Sequence, residues 1–523
     1  MSHPRLIYYN DGHHFHAKRI EPPASLHMLQ WPVDEVAGTG ADTLVFGLGY
    51  GDVYFHDSKV GRVVGQGQKE WGSYIDWRIM RMVEEARRLG TDQLRAVVNR
   101  GRELGTRVVA SLKLQDPAAP GSDRAGVLKQ KNPESICIGE EGRYLWGYDF
   151  TKEAVHEHKL AMVREVFEGY EPDGIELDFM FDLRFFKTGE EGAGRQAMTE
   201  FVGQVRQLAE EVGKAKGRSF SVSARVSLHE ERNHETGLDV DTWLRTGHLD
   251  WVCAQDERLL TDTQPKPSWL PQMATATDTS AYYRPPRRVY HEAVGFPHME
   301  MYRALQQTLH AGGWSGLYHG YLPWPLADAQ YQFLREMAYP ETTKRRDKRY
   351  YLQPREGAPD EPTTTPDRSL PIRLQSGATA RVEIEVADDV ESARQDGEMR
   401  SAELTLRIQQ MCVDDEMVLR FNHRLLALSE AEITDERAVT MPVRLYGAQQ
   451  LQAPLAGAFH WLRFRLPADW IHPGVNTIEL EMVACDGRAT FQRELNGVEL
   501  YLRYRDMQRP QGLDSSPLAP LTT

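Results

Sequence analysis

Short apolar runs rich in β-forming residues alternate with stretches of helical periodicity through the first 340 residues of the chain. This alternation limits the possible folds more than any other feature, because strands that alternate with helices pair in parallel through right-handed crossovers. Eight such runs over this length predict a (β/α)8 barrel, a TIM barrel. The predicted strands are residues 6–10, 43–48, 107–114, 175–179, 219–226, 248–254, 288–293 and 316–321.

An open, doubly wound sheet is the alternative arrangement of alternating strands and helices. Its common dinucleotide-binding members carry the fingerprint Gly-x-Gly-x-x-Gly. The glycine-rich stretch of this chain, Gly47-Leu-Gly-Tyr-Gly51, does not have that spacing. The barrel is therefore the favoured fold, and its active residues are expected at the carboxyl ends of the strands.

The composition changes after Tyr339. Residues 341–371 are crowded with Thr, Pro, Arg, Lys and Asp, which predicts a linker or an exposed excursion. Residues 372–506 contain short runs that alternate polar and apolar side chains, such as 380–386 and 402–408, and this pattern predicts an antiparallel β-sandwich. The predicted organisation is a barrel domain of residues 1–340, a linker of residues 341–371, a sandwich of residues 372–506 and a disordered tail of residues 507–523.

The composition also excludes several kinds of partner. The net charge of −14 at pH 7 argues against a nucleic-acid surface, which needs a basic patch. No apolar run approaches the roughly 18 to 20 residues of a membrane span, and the start of the chain lacks the apolar core of a signal peptide. The four cysteines are scattered and form no Cys-x-x-Cys pair. We expect no cofactor, no metal, no nucleic-acid or membrane partner and a cytoplasmic location, and the sequence leaves homo-oligomerisation open.

Two carboxylates lie on one face of the fourth predicted strand. Successive side chains of a strand point to opposite faces, so Glu176 and Asp178 point one way while Ile175, Leu177 and Phe179 point the other. The apolar face suits the layer between a barrel and its helices. Charged groups are seldom buried without partners. The two acids therefore indicate either a solvated edge strand or a strand that delivers carboxylates to a pocket, and we favour the pocket.

Polar or aromatic residues follow every predicted strand, where the active site of a barrel forms. Acids together with aromatic rings suggest a carbohydrate site, because the C–H faces of sugars stack on such rings and glycosidic cleavage needs two carboxyl groups. Lys113 and Arg225 are expected beside the acids, where a cation lowers the pKa of an acid or binds an anionic group of the substrate, such as a uronate or sulfate. The residues predicted to bind substrate are Asp11, His13, Tyr50, Lys113, Trp146, Arg225, His291, His319, Tyr321 and Trp324.

The segment Asp173-Gly-Ile-Glu-Leu-Asp-Phe-Met180 resembles the fourth strand of glycoside hydrolase barrels. The family-18 chitinases have Asp-Gly-x-Asp-x-Asp-x-Glu at this strand, and this chain has Met180 where their catalytic Glu belongs, which argues against chitinase chemistry. The Leu-Asp-Phe-Met part resembles the clan D α-glycosidases more closely. Residues 148–151, Tyr-Asp-Phe-Thr, lie ahead of this strand as in the bacterial glycosyl hydrolase-like barrels, which the wider layout resembles. The resemblance covers residues 1 to about 340.

The resemblance implies a glycoside hydrolase that cleaves a glycosidic bond with two carboxyl groups. By analogy with clan D, Asp178 is the nucleophile, and the acid/base follows the sixth strand at Asp256. Glu257 and Glu292 are the reserve candidates for the acid, and Glu176, one inward position deeper, orients hydrogen bonds. A retaining mechanism is favoured. An inverting mechanism stays open, as do the sugar and its anomer.

Two other functions compete with this interpretation. A metal-dependent hydrolase would use His14-Phe-His16, which resembles the His-x-His of amidohydrolase barrels, with further ligands at His229, His291 and His319. The bridging Lys expected on the fourth strand of such barrels is absent. The second alternative is a carbohydrate-binding barrel that has lost its chemistry.

Overall fold

The computed structural model describes most of the chain. The described residues are 3–116, 118–132, 146–255, 263, 269–286, 289, 297–320, 322, 324–353, 370–435 and 459–505. The chain divides into two compact units. The first comprises Met1–Asp256, Pro267–Pro285 and Gly313–Leu326, and the second comprises Glu257–Lys266, Pro286–Gly312 and Ala327–Thr523.

The first unit contains a closed barrel of parallel strands. In chain order, its strands among the described residues are β1 Leu6–Asn10, β2 Thr43–Gly47, β3 Arg107–Lys113, β4 Gly174–Asp178, β5 Ser221–Ser227, β6 Trp251–Gln255, β7 Ser280–Arg284 and β8 Gly316–Gly320. Around the barrel they follow the order β1-β8-β7-β6-β5-β4-β3-β2, and each neighbouring pair is parallel. The (β/α)8 barrel predicted from the alternation is confirmed.

The seventh strand differs from the prediction. It is Ser280–Arg284 rather than residues 288–293, of which only Val289 belongs to the described residues. Pro285 and Pro286 follow it, and since proline has no N–H to donate to a ladder, the strand ends there. The strand Ser280–Arg284 is short, and only three residues separate it from the helix Trp269–Ala276. The sequence therefore gives only a weak signal for this strand.

Helices alternate with the strands of the barrel. The side chains of Ser25, Ser73 and Asp92 each accept a hydrogen bond from the backbone N–H three residues on, and so cap three helices. Gly105 and Gly217, both in the left-handed conformation, end the helices Gln93–Leu104 and Glu191–Lys216. The helices described in this unit are Leu26–Asp34, Tyr74–Arg88, Gln93–Leu104, Val127–Lys131, Glu153–Gly169, Glu191–Lys216, Glu230–Glu235, Val240–Arg245 and Trp269–Ala276.

Two local features shape the carboxyl ends of β1 and β2. Gly12 turns the chain after β1 with φ of +67°, and a Cβ atom there would lie 2.7 Å from the backbone oxygen of Gly47, so glycine suits this position. A π-helical turn, Phe15–Arg19, follows. After β2 the chain forms a small three-stranded sheet from Gly49–Tyr50, Val53–Tyr54 and Arg62–Val63.

The inside of the barrel combines an apolar cluster with charged side chains, and three of the charged side chains lie on two adjacent strands. β4 and β5 contribute Glu176, Asp178 and Arg225, all of them buried. The other strands contribute a packed cluster of Ile7, Tyr9, Val45, Val109, Trp251, Cys253, Tyr282 and Tyr318. Because buried charges need partners, this arrangement forces the acids of β4 and the guanidinium of β5 together.

The second unit is built on a β-sandwich. One sheet contains, in order, Lys348–Leu352, Arg493–Tyr504, Met399–Gln409, Phe459–Leu466 and Glu432–Asp435, with Ile372–Leu374 paired to Arg493–Tyr504. The other contains Ala378–Val386, Gly474–Ala484, Glu416–Phe421 and Arg424–Leu426. Both sheets are antiparallel, and the strand Ala378–Val386 buries alternate residues, as the polar–apolar pattern predicts.

The predicted linker contains regular structure. The helix Pro340–Thr343 and the strand Lys348–Leu352 both fall in or against residues 341–371, so the linker interpretation is wrong for these elements. Tyr350 and Leu352 are buried in the sandwich core, which outweighs the charged residues that surround them in the sequence. The remaining helices of this unit are Met299–Ala311, Asp328–Glu336 and Val390–Gln395. Across the described part of the chain, each helix is too short or too polar to cross a bilayer.

Candidate active site

The predicted alternation of side chains on β4 is confirmed. Glu176 and Asp178 point into the barrel, where they contact residues of β3, β5 and β8. On the opposite face, Phe179 stacks on Trp243 of the helix Val240–Arg245, with their ring centroids 5.1 Å apart. The acids therefore face the lumen of the barrel, and β4 is not an edge strand.

Asp178 is the last residue of β4 and pairs with Arg225 of β5. The two residues are register partners on adjacent strands. Arg225 donates from Nε to Oδ1 of Asp178 at 3.2 Å and from Nη2 to Oδ2, so the pair is bidentate. The backbone N–H of Met180 donates to Oδ1 at 2.9 Å. Such charge-assisted, bidentate bonds fix the orientation of a carboxylate.

The guanidinium group of Arg225 lies over the rings of two tyrosines. The centre of its guanidinium lies 4.6 Å from the ring centroid of Tyr9 and 5.8 Å from that of Tyr318. Burial opposes its charge, but the neighbouring Asp178 outweighs burial and holds the pKa of Arg225 above its ordinary value. The cation is therefore permanent, and its position is set by both stacking and the ion pair.

Glu176 lies one layer deeper than Asp178 and is fully buried. Its Oε1 accepts hydrogen bonds from the hydroxyl groups of Ser111 at 2.8 Å and Tyr318 at 3.1 Å. Burial raises the pKa of Glu176, and the charge of Asp178 adds to that rise, while Arg225 opposes it. This depth and these bonds suit the orienting role that the sequence assigns to Glu176.

Lys113 ends β3 on the other side of Asp178, with which it is in register. The residue is 8% exposed, and its ammonium group lies 4.3 Å from the ring centroid of Phe181. Within the described residues its ammonium group makes no hydrogen bond or ion pair. Burial lowers the pKa of Lys113, while the charges of Asp11 and Asp178 act in the opposite direction.

Asp11, His13 and His14 form a cluster after β1, in which one ligand atom of each residue lies within 4.8 Å of the others. Asp11 already accepts bonds from the backbone N–H of His14 at 2.8 Å and from its ring Nδ1. Burial acts to raise the pKa of Asp11, but the hydrogen bonds from His14 outweigh burial and lower this pKa to about 2. Burial lowers the pKa of His13 to about 4, so its ring is neutral at pH 7. In the part of the chain that the structure describes, these three residues are the group that could hold a metal ion.

His16 does not join that cluster. Its Nδ1 lies 2.7 Å from the backbone oxygen of Gly12, and its ring packs on Phe55 at 5.0 Å. The His-x-His pair of the metal-hydrolase alternative is therefore split between two surroundings. That alternative is not favoured by the structure around β1.

Several other predicted binding residues have defined surroundings. Tyr50 contacts the ring of His13 at 5.0 Å and donates to Asp76 at 3.2 Å. Trp324 packs on Trp31 with ring centroids 5.8 Å apart, and Trp146 is partly buried.

His319 follows Tyr318, whose hydroxyl points into the barrel, so His319 lies on the outer face of β8. This placement does not support the predicted contact between His319 and a ligand in the lumen. The predicted residues Asp256, Glu257, His291, Glu292 and Tyr321 lie outside the described residues.

The sequence interpretation missed four residues of the lumen. They are Tyr9, Ser111, Tyr318 and Arg284, the last of which donates to Oε1 of Gln255 and faces the rings of Tyr9 and Tyr318. Ser111 lies two residues before Lys113 and Tyr9 two residues before Asp11, so the period of two could have found both. Tyr318 is adjacent to the predicted His319, and Arg284 precedes the run predicted as the seventh strand, so the same signal does not identify these two residues.

No protein-family model matches the chain, and no curated protein matches its sequence. Among solved structures, a cycloisomaltooligosaccharide glucanotransferase from Paenibacillus is 10% identical with a TM-score of 0.36, over 95% of this chain and 57% of that chain. The PgaB (BpsB) glycoside hydrolase domain from Bordetella bronchiseptica is 11% identical with a TM-score of 0.40, over 64% and 98%. The α-galactosidase TtGalA from Thermus thermophilus is 15% identical with a TM-score of 0.37, over 64% and 65%.

The solved structures similar to this chain thus include glycoside hydrolases, the group that the sequence resembles. This chain spans little more than half the length of the glucanotransferase. At these identities and TM-scores the similarities assign no activity to the chain. The activity has to be argued from the side chains in the barrel.

Proposed function

We propose that this protein is a glycoside hydrolase in which Asp178 attacks the anomeric carbon of a carbohydrate substrate. The observation that carries the proposal is the setting of Asp178 at the carboxyl end of β4. Its carboxylate faces the lumen, is bound bidentately by Arg225 and has Lys113 as its register neighbour. A nucleophilic carboxylate must be held in front of the carbon that it attacks, and two hydrogen bonds from a fixed cation provide that orientation.

The proposed reaction has two steps with balanced bonds. In the first, an Asp178 oxygen forms an ester bond to the anomeric carbon while the glycosidic C–O bond breaks. The acid gives its proton to the leaving oxygen. In the second, water attacks the same carbon, the ester bond breaks, and the proton of the water returns to the acid/base residue.

The acid/base residue is the part of this mechanism that stays a prediction. Asp256 is our candidate, with Glu257 and Glu292 in reserve, and all three lie outside the described residues. A retaining enzyme requires the two carboxyl groups about 5 to 5.5 Å apart, and an inverting one about 6.5 to 9.5 Å. A crystal structure with a bound sugar would measure that distance directly.

Glu176 and Arg225 complete the proposal as positioning residues. Arg225 fixes the carboxylate of Asp178 through two hydrogen bonds. Glu176 accepts hydrogen bonds from the hydroxyl groups of Ser111 and Tyr318. The bond from Tyr318 aligns the ring over which the guanidinium group of Arg225 lies. The chain of contacts from Glu176 through Tyr318 and Arg225 thus fixes the orientation of the nucleophile.

The test is hydrolysis of a panel of 4-nitrophenyl glycosides, neutral and acidic, by the full chain and by Asp178→Asn. We expect the variant to lose turnover by roughly 10³-fold or more. Azide added to Asp178→Gly should restore cleavage and give a glycosyl azide, because a small anion can enter the space of the lost carboxylate.

The matched control is Asp173→Asn, the same change at the amino end of the same stretch of chain. Asp173 is partly exposed and accepts a bond from the backbone N–H of Val108, a purely structural contact. Its amide variant should keep normal turnover. Near-normal hydrolysis by Asp178→Asn, measured after deamidation has been excluded, would refute the proposal.

A further inference from the structure

The ammonium group of Lys113 is buried without a partner of its own. The residue is 8% exposed, its ammonium group lies over the ring of Phe181, and no hydrogen bond or ion pair reaches that group within the described residues. An ammonium group carries three donors, and the burial of most of this side chain removes much of the water that would otherwise accept from them. A protein keeps such a group where a ligand supplies the missing acceptors.

The nearby charges are already used by other groups. Asp178 is bound at both oxygens by Arg225, and Asp11 is bound by His14. Both acids act on the charge of Lys113 through space, and among the described residues neither forms an ion pair with it. Arg284, the other cation on the inner face, donates to Gln255. Of the cations described in the lumen, Lys113 is the one whose charged head is left for a ligand.

The place of Lys113 relates it to the reacting carbon. Lys113 and Asp178 are register partners on β3 and β4, and both point into the lumen. Adjacent strands lie about 4.8 Å apart. A group bound by Lys113 would therefore lie beside the sugar ring whose anomeric carbon is in front of Asp178, and not on a distant part of the substrate.

We propose that the substrate carries an anionic group, a carboxylate or a sulfate ester, on the sugar that reacts with Asp178, and that Lys113 binds it. This inference rests on the proposed glycoside hydrolase function. It separates the two cations that the sequence treats as equivalent, because Arg225 is occupied by Asp178 and Lys113 is not. Lys113 then acts as the residue that selects acidic over neutral sugars.

The test compares matched pairs of aryl glycosides that differ at one group. The pairs are 4-nitrophenyl glucuronide with glucoside and galacturonide with galactoside, in both anomers, together with 4-nitrophenyl sugars sulfated at one hydroxyl. We expect wild-type protein to prefer the acidic member of a pair. In Lys113→Met, the ratio of kcat/KM for the acidic to the neutral member should fall by roughly 10- to 100-fold, since a hydrogen bond to a charged group is lost. The uronides and the sulfated sugars show which anion is bound.

Lys18→Met is the matched control, because Lys18 is an exposed lysine of the same unit. It should keep the wild-type ratio. A wild-type enzyme that cleaves neutral glycosides as well as acidic ones, with a ratio unchanged in Lys113→Met, would overturn the inference and leave the proposed function intact.

A binding measurement distinguishes a failure of the anion-site inference from a failure of the hydrolase proposal. Sodium glucuronate, sodium galacturonate, inorganic sulfate and the neutral sugars are titrated into Asp178→Asn and into Asp178→Asn/Lys113→Met, with binding followed by ligand-detected NMR. Binding of an acidic sugar that disappears with Lys113→Met supports the anion site, even if no glycoside is cleaved and the hydrolase proposal fails. Equal binding by both proteins, or no binding of any anion, contradicts the anion site.

Discussion

Arg225 binds both carboxylate oxygens of Asp178 across the adjacent strands β5 and β4, at the layer of the barrel where the strands end. The side chains of both residues are almost fully buried. A pair of this kind stabilises the fold little as a whole, but breaking it leaves an uncompensated charge. The pair therefore fixes the position of Asp178 more than it adds to the stability of the barrel.

Arg225→Met should destabilise the protein by about 3 to 5 kcal/mol, because Asp178 then stays buried without its partner. Urea unfolding followed by tryptophan fluorescence measures the loss. Arg218→Met is the control: Arg218 pairs with Asp173 where both side chains are partly exposed, and such pairs contribute about 1 kcal/mol or less. The double variant Arg225→Met/Asp178→Asn should be more stable than the sum of the single losses predicts. Equal losses in Arg225→Met and Arg218→Met would contradict the buried-pair interpretation.

Lys113→Met should stabilise the protein, by about 1 to 3 kcal/mol at pH 7, because it removes a buried ammonium group that has no partner in the described structure. Since burial lowers the pKa of Lys113, folding is favoured by the neutral amine. The gain should therefore be largest at neutral pH and shrink as the pH rises towards 10.5. Thermal unfolding at pH 7 and pH 10 measures it. A variant less stable than wild type at pH 7 would show that Lys113 has a structural partner.

Glu176→Gln should change how stability depends on pH. A carboxyl group with a raised pKa favours the folded state below its unfolded pKa, near 4.5, and that contribution is lost as the pH rises through the folded pKa. The amide cannot ionise, so the stability of the variant relative to wild type should increase as the pH rises above 4.5 and then level off. Urea midpoints between pH 4 and pH 9 test this. A pH-independent difference would place Glu176 in its ordinary ionisation range.

Removal of divalent metal ions should leave turnover unchanged. The acid of the Asp11, His13 and His14 cluster is already held by His14, and the proposed chemistry uses carboxyl groups and water only. The measurement is hydrolysis of the best aryl glycoside before and after dialysis against EDTA, with His27→Ala as a control for exposed histidines. If activity disappears on dialysis and returns with Zn²⁺, and His13→Ala prevents its return, the cluster is a metal site and the metal-free mechanism is wrong.

Local patterns in the chain carried much of the architecture. The period of two in residues 175–179 was enough to place Glu176 and Asp178 on one inner face, because strand geometry alternates side chains regardless of context. Alternating strands and helices were enough for the parallel barrel, and the polar–apolar repeat after residue 372 was enough for the sandwich. Where local signals were weak, as at Ser280–Arg284 and Lys348–Leu352, prediction failed, since tertiary burial decides those strands.

The sequence by itself therefore determined the barrel, the sandwich and the two lumen-facing acids of β4. Only the tertiary structure decided which groups those acids meet. Asp178 and Arg225 are 47 residues apart, and Glu176 and Tyr318 are 142 apart. Such pairs depend on the register of parallel strands and on the closure of the barrel, which no local pattern encodes. The same long-range register leaves the ammonium group of Lys113 beside Asp178 without a partner in the described structure. This difference between the two cations is the basis of our proposal that Arg225 positions the nucleophile and Lys113 binds the substrate.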